Sequence, residues 1–235
     1  MFEHALALDP QSVEAQIYLA GVLSGRALDG LTDSVAADLA QAEGLVEQAL
    51  AASPRNAFAH LIKGNVLRAQ HRCEHAIPEY ETALASNRNF VGALNGLGWC
   101  KLYAGLLEEV VPLGEQAIRL SPRDPGIGRW YLLIGTAHLL QSRTDEAIVW
   151  LEKARTAMPA VPSHHSLLAS AYALRGETER AAAELAEARR LRGEGSFPSI
   201  AKMQAGGWSS WSPKTRALGE ATYFVGLRKA GVPEE

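Results

Sequence analysis

Residues 64–88 read GNVLRAQHRCEHAIPEYETALASNR, and residues 98–122 read GWCKLYAGLLEEVVPLGEQAIRLSP. The two stretches share one pattern of small residues, because the steps from Gly64 to Gly98 and from Ala83 to Ala117 are both 34. The other matched pairs are Ala76 and Val110, Tyr80 and Gly114, and Arg88 and Pro122. A period of about 34 residues with small residues at fixed offsets predicts an array of helix–turn–helix repeats.

The small residues have a steric reason. Two antiparallel helices pack closely only where small side chains lie at their crossing, and Gly64, Ala76 and Ala83 occupy these places in the first stretch. Tyr80 is predicted to fill the gap to the next unit. The Pro that ends the second stretch is predicted to end the helix before the next unit begins, because Pro is unfavourable inside a helix.

This spacing resembles the tetratricopeptide repeat family. The register continues on both sides of the central stretches, at Ala20, Ala42, Val46, Ala49 and Pro54 upstream and at Gly135, Ala147, Leu151, Ala154, Pro159, Ala169, Tyr172, Ala181, Leu185 and Ala188 downstream. The resemblance implies an all-α fold, an α-solenoid in which repeats form a superhelical array. We predict five repeats over residues 11–192, with an insertion at about 25–36 in the first, and the second helix of a partial repeat at 1–10.

Apolar periodicity predicts two helices in each repeat. They are expected at 12–24 and 37–52, 57–70 and 74–85, 90–104 and 107–120, 128–140 and 144–157, and 163–174 and 177–192. The insertion is predicted as a loop, because Asp29-Gly30 is a turn signal, with an early start of the next helix left open. The partial repeat at the start predicts a piece of a longer protein and an open edge that favours self-association into a homodimer.

The period stops after Arg192, and the tail at 193–235 follows a different pattern. A short helix is predicted at 198–204, a loop at 206–211 and a capping helix at about 213–230, since Ser212-Pro213 is a helix start and Gly231 a stop. Such a cap covers the exposed side of the last repeat. The alternative is that four aromatic side chains fold back into the groove of the array; they are Trp208, Trp211, Tyr223 and Phe224.

The tail also resembles the C-terminus of certain alphaproteobacterial signalling proteins, through KTRAL at 214–218 and TYFVGLRKAGVPEE at 222–235. Those proteins carry a class III adenylate or guanylate cyclase domain, or a winged-helix domain, before a tetratricopeptide array. The resemblance implies that this chain is the non-catalytic part of such a protein. The chain has no alternating strand pattern of a cyclase domain, so we predict that it is not itself an enzyme.

Composition excludes other classes of function. The net charge of −3 and the pI of about 6.2 argue against nucleic-acid binding, which usually needs a basic surface. The longest apolar run, residues 130–140, is too short to span a bilayer, so no membrane partner is predicted. Cys73 and Cys100 fall in different repeats, so no disulfide is expected, and a reducing, cytoplasmic compartment is predicted.

In the tetratricopeptide family the first helix of each unit lines a concave groove. Carrying the register over residue by residue implies groove positions in successive repeats at Phe58, Leu61, Asn65 and Arg68; at Asn95, Trp99, Leu102 and Tyr103; at Arg129, Leu132, Thr136 and Leu139; and at Ser163, Ser166 and Ser170. This groove is apolar with a few amide and guanidinium groups. It suits an amphipathic helix or an extended apolar segment, with Trp99 and Tyr103 as anchors.

Two more specific sites are not expected. The best-known subgroup of the family binds a C-terminal carboxylate, and Asn65 and Arg129 match its pattern. Apolar residues stand at other positions of that pattern, so a carboxylate would be under-paired. The cluster at 71–75 (HRCEH) lacks the second pair of ligands that a zinc site needs, and no cofactor is predicted.

We therefore predict a protein-interaction and scaffolding module that binds a peptide or a partner domain in an apolar concave groove. The alternative is a regulatory or dimerising region of a larger bacterial signalling protein.

Overall fold

The computed structural model describes residues 1–193 and 197–235. Within these residues the regular structure is helical, as predicted. The chain divides into two compact units, an N-terminal unit at Met1–Cys100 and a C-terminal unit at Lys101–Glu235. The helices are α1 Phe2–Leu8, α2 Val13–Asp29, α3 Val35–Ala52, α4 Ala57–Ala69, α5 Cys73–Ser86, α6 Val91–Ala104, α7 Leu107–Leu120, α8 Ile127–Leu140, α9 Thr144–Ala157, α10 Pro162–Arg175 and α11 Thr178–Arg192.

The tail carries shorter helical segments. Helix α12 is Ile200–Ala205 and is followed by a 3₁₀ turn at Gly207–Ser210. Helices α13 (Pro213–Gly219) and α14 (Val225–Lys229) are joined through a π-helical segment at Glu220–Phe224. Part of the predicted joint after Arg192 lies outside the described residues.

The loop predicted at residues 25–36 is shorter than expected, and the early start of the next helix is observed. Helix α2 continues to Asp29, and α3 already begins at Val35. Helix α2 ends at Gly30, whose φ of 68° is left-handed, a conformation that glycine adopts without steric cost. Asp29-Gly30 is therefore a helix-ending signal, and the glycine at position 25 is accommodated within the helix.

Tyr80 of α5 fills the gap between helices of the N-terminal unit, as the sequence predicts. Its side chain is completely buried, and a Cβ atom added at Gly64 of α4 would lie 2.6 Å from its Cε1 atom. A Cβ at Gly96 of α6 would overlap the same ring. The Tyr80 hydroxyl donates a hydrogen bond of 2.9 Å to Oδ1 of Asn65. The small residues are thus required for the helices to approach the ring.

The C-terminal unit uses the same device with aliphatic side chains. A Cβ at Gly135 of α8 would lie 2.7 Å from Cγ of Leu151, and one at Gly114 of α7 would lie 2.6 Å from Cγ1 of Ile134. Both large side chains are fully buried. Close helix crossings therefore recur along the array at the positions given by the period.

Histidine links recur as well. His60 Nδ1 lies 2.6 Å from Oε2 of Glu79, and its Nε2 lies 3.0 Å from the Pro54 carbonyl oxygen. Burial alone raises the pKa of Glu79, but hydrogen bonds from His60 and Lys63 outweigh it and leave that pKa lowered. The same link recurs at His165 with the same sequence separations. Its Nδ1 lies 2.6 Å from Oε2 of Glu184, and its Nε2 lies 2.8 Å from the Pro159 carbonyl oxygen.

The expectation of unpaired cysteines is wrong. Cys73, at the first turn of α5, and Cys100, buried in α6, form a disulfide with their Cα atoms 5.0 Å apart. Sequence reasoning placed them in different repeats, but stacking of successive repeats brings α5 against α6. The inference of a reducing, cytoplasmic compartment loses its basis, because disulfides persist mainly in oxidising compartments. None of the described helices has the length and apolarity to cross a membrane.

We expect Gly64→Ala to lower the free energy of unfolding by about 1–3 kcal/mol, because the added methyl group overlaps the Tyr80 ring. Urea denaturation measures the change. The matched control is Gly44→Ala in α3, where no atom lies within 4 Å of the new Cβ. This control should raise stability by about 0.5–1 kcal/mol, because alanine loses less backbone entropy than glycine. Equal effects of the two substitutions would contradict the steric explanation.

We expect reduction of the disulfide between Cys73 and Cys100 to destabilise the chain. The bond closes a loop with a sequence separation of 27, which corresponds to about 3–4 kcal/mol in the chain-entropy model. The measurement is the urea midpoint with and without dithiothreitol. In Cys73→Ser, which lacks the bond, the reductant should not move the midpoint. A wild-type midpoint that ignores the reductant would show that the pairing does not support the fold.

Candidate partner-binding surfaces

Six of the predicted groove residues belong to the N-terminal unit, on helices α4 and α6. Leu61 is only 5% exposed and packs in the core, so it offers no surface to a partner. The other five side chains are half-buried and reach solvent; they are Phe58, Asn65, Arg68, Asn95 and Trp99. The hydrogen bond from the Tyr80 hydroxyl holds the amide of Asn65 in one orientation. These five residues are the part of the predicted groove that remains accessible here.

An aromatic row extends this surface beyond the predicted positions. Phe2 stacks on Tyr18 with ring centroids 5.2 Å apart, Tyr18 lies 5.3 Å from Phe58, and Phe58 lies 6.3 Å from Phe90. We call these four residues the aromatic row. Tyr18 is 47% exposed, and Val22, one turn further along α2, is 46% exposed. The register transfer missed Phe2, Tyr18 and Phe90, and the available signal was the aromatic residue in or just before the first helix of each successive repeat.

Six further predicted residues lie on α6 and α8 in the C-terminal unit. Leu102 and Leu139 are completely buried, and Thr136 is 3% exposed, so their side chains contribute to packing. The Thr136 hydroxyl donates to the Leu132 carbonyl within α8. Tyr103 and Leu132 are half-buried and Arg129 is exposed.

The tail lies against Tyr103. The ring of Trp211 packs 4.8 Å from the ring of Tyr103, measured between centroids. The backbone N–H of Ser212 donates to the Tyr103 carbonyl oxygen at 3.0 Å, and the Thr215 hydroxyl donates to the same oxygen at 2.9 Å. The hydroxyl of Thr215 also donates to the carbonyl of Leu102 at 3.3 Å. The start of α13 is thus anchored on the end of α6.

A second anchor joins the tail to α10. The Ser170 hydroxyl donates to the Tyr223 carbonyl oxygen at 2.8 Å, and the Tyr223 hydroxyl donates to Oγ of Ser166 at 3.3 Å. A Cβ at Gly226 would lie 2.8 Å from the carbonyl carbon of Ser170, so glycine allows the two backbones to meet. Phe224 is buried in the same core as α10. The tail therefore occupies predicted groove positions of the fifth repeat.

Trp208 connects the two anchors. Its ring stacks on Trp211 with centroids 3.8 Å apart and on Tyr223 with centroids 5.5 Å apart. All four tail aromatics singled out in the sequence thus belong to one cluster that faces α6 and α10. In the C-terminal unit, an outside partner would have to compete with the chain's own tail for these positions.

In the part of the chain that the structure describes, no group of three or more His, Cys, Asp or Glu side chains is placed to hold a metal ion.

The repeats have the fold and the sequence signature of one family. Residues 63–125 match the tetratricopeptide repeat family model. The predicted resemblance to the tetratricopeptide repeat family is confirmed over these residues, and the predicted all-α solenoid fold is confirmed. No curated protein matches the sequence.

Solved structures with the same fold include three that cover most of this chain. YrrB, a TPR protein with an unusual peptide-binding site, is 18% identical, with 83% of this chain and 94% of YrrB covered and a TM-score of 0.58. PilF from Pseudomonas aeruginosa is 21% identical, with 93% and 86% covered and a TM-score of 0.65. TTC0263, a TPR protein from Thermus thermophilus, is 21% identical, with 83% and 98% covered and a TM-score of 0.59.

We expect Gly226→Ala to loosen the tail, because the new methyl group overlaps the backbone of α10 at Ser170. Limited digestion with trypsin, followed by mass spectrometry, detects cleavage after Lys214 and Arg216. The initial rate of this cleavage should rise about tenfold, which corresponds to a docking loss of about 1.4 kcal/mol. Gly207→Ala in the same tail is the control, since no atom lies within 4 Å of its Cβ. Unchanged cleavage in Gly226→Ala would contradict the observed anchoring.

Proposed function

We propose that this chain is a non-catalytic interaction module that binds a peptide segment of a partner protein on the N-terminal unit. The proposed surface consists of the aromatic row together with Asn65, Arg68, Asn95 and Trp99. The observation that carries the proposal is that these side chains are at least partly exposed to solvent on a helical scaffold. The printed description of YrrB as a peptide-binding TPR protein supports the same class of function.

The chemistry of the surface defines the kind of partner. Tyr18, Val22 and Phe58 offer apolar area that is partly solvent-exposed, which suits large apolar side chains of a partner. Asn95 and Arg68 add hydrogen-bond donors that suit backbone carbonyl groups or a carboxylate. A segment with two or three apolar anchors and an acidic or carbonyl-rich flank fits this arrangement.

The positions covered by the tail are left out of this proposal. Tyr103 is in contact with Trp211 and Ser212, so a partner gains access to it only after the tail leaves. The regulatory or dimerising role in a larger bacterial signalling protein and the lack of nucleic-acid partners stay predictions.

The test begins with peptides selected from a displayed random library against the full chain. The dissociation constant of the best peptide is then measured for Trp99→Ala and Phe58→Ala. Each substitution should weaken binding by about 30-fold, because a truncated aromatic hot spot costs about 2 kcal/mol. Trp150→Ala is the matched control, since Trp150 is also half-buried but packs on Tyr131 in the C-terminal unit.

Circular dichroism melts establish that each variant folds. A library without binders, or equal losses in Trp99→Ala and Trp150→Ala, would rule out the proposed surface.

A further inference from the structure

Helices α2 and α4 lie side by side in the N-terminal unit and run in the same direction. Tyr18 of α2 lies 5.3 Å from Phe58 of α4, measured between ring centroids. Further along both helices, a Cβ atom added at Gly21 would lie 3.1 Å from Cδ1 of Ile62. A position on α2 is therefore level with the position about 40 residues later, on α4. This register shows where side chains lie along the surface that the two helices share.

Glu14 marks the negative end of this surface. It lies one helical turn before Tyr18 on the same face of α2, and both residues are exposed. Among the described residues Glu14 has no ion-pair partner. Its surroundings are acidic, since residues 1–52 contain eight Asp or Glu residues and a single Arg. The charge of that Arg26 is offset, because its Nη2 atom lies 3.6 Å from Oδ2 of Asp38.

Arg68 marks the positive end. Asn65 lies two turns after Phe58 on one face of α4, and Arg68 follows one turn later. The Nε atom of Arg68 is buried, and within the part of the chain that the structure describes it has no hydrogen-bond partner. A buried donor without an acceptor costs free energy, so the guanidinium favours a ligand that supplies an anionic oxygen.

The distance between the two charges and the groups along it define what fits. With the register of the two helices, Glu14 and Arg68 are separated by about 14 helical steps, which corresponds to about 20 Å. About six residues of an extended chain cover this distance. Oδ1 of Asn65 accepts the bond from Tyr80, so the Nδ2 group is left as a donor. The carbonyl groups of an extended segment can accept such a bond, whereas those inside a helix are already paired.

We propose that this surface selects an extended segment of a partner protein with a basic residue at one end, an acidic residue about six positions away and apolar residues between them. The basic group lies over Glu14, the apolar groups lie along the aromatic row, and the acidic group pairs with Arg68. Complementary charges at both ends fix the register of the bound segment. The inference rests on the proposed function, because both use the same surface, and it adds the charge pattern of the partner.

The probe is an acetylated and amidated peptide, Lys-Ser-Phe-Ser-Leu-Ser-Glu, whose four larger side chains lie on one side of an extended chain. Three variants replace its Lys, its Glu or both by Gln. Nuclear magnetic resonance titration of the full chain with each peptide gives the dissociation constants. The parent peptide should bind about tenfold more tightly than the variant with both replacements, and high salt should remove this difference.

Paired substitutions assign each charge to its partner. Glu14→Gln should weaken binding of the peptides that carry Lys about threefold and leave the others unchanged. Arg68→Gln should have the same effect on the peptides that carry Glu. Glu47→Gln is the matched control, because it removes the same charge from an exposed residue of α3, a helix that contributes no residue to the surface. Circular dichroism melts establish that each variant folds.

Four results would overturn the inference. The first three are no binding of the parent peptide, equal affinities of the parent and the peptide with both replacements, and equal effects of Glu14→Gln and Glu47→Gln. The fourth comes from sedimentation of the free chain. A mass that rises with concentration in the wild type, and not in Glu14→Gln, would show that a second copy of the chain occupies the surface.

Failure of the proposed function can be told apart from failure of this inference. Losses of affinity for library peptides in Trp99→Ala and Phe58→Ala, without coupling to Glu14 or Arg68, would retain the peptide surface and reject the charge pattern. Coupling to both charges without those losses would retain the charge pattern and remove Trp99 and Phe58 from the proposed surface.

Discussion

The contact of the Tyr80 ring with Gly64 and Gly96 is the constraint on which the packing of the N-terminal unit depends. A Cβ atom at either glycine would overlap the ring. The backbones of α4 and α6 can therefore approach Tyr80 of α5 only because both positions are glycine. Interiors are packed as densely as organic crystals, and such a contact has little room to adjust. Leu151 against Gly135 has the same function in the C-terminal unit, which explains why one spacing recurs with different large residues.

Close crossings of the paired helices leave the faces of the first helices available for other contacts. In the N-terminal unit these faces carry the aromatic row, with Tyr18 half-exposed to solvent. In the C-terminal unit the chain's own tail packs on these faces, where Thr215 contacts Tyr103 of α6 and Tyr223 contacts Ser166 of α10. The two units therefore present different chemistry, although they are built from one repeat pattern. A repeat array fixes the scaffold and leaves the function to its surface side chains.

Several errors of sequence reasoning have identifiable causes. The loop predicted at 25–36 was too long, because a turn signal such as Asp29-Gly30 also ends a helix. The pairing of Cys73 with Cys100 was missed because repeat membership describes position along the chain, whereas a disulfide requires only proximity in space, here 5.0 Å between Cα atoms. Leu61 matched a groove position of the family but is buried, since its apolar side chain gains more from the core than from solvent.

The sequence by itself determined the helices, their order and the places where they cross. Spacing along a helix dictates which residues share a face, and only small residues such as Gly64 permit close crossing. The tertiary structure alone decided which of the predicted groove residues stay accessible and where the tail docks. The docking of the tail depends on contacts between residues that are far apart in the sequence, such as Thr215 with Tyr103 and Tyr223 with Ser166, and local sequence patterns carry no information about such pairings.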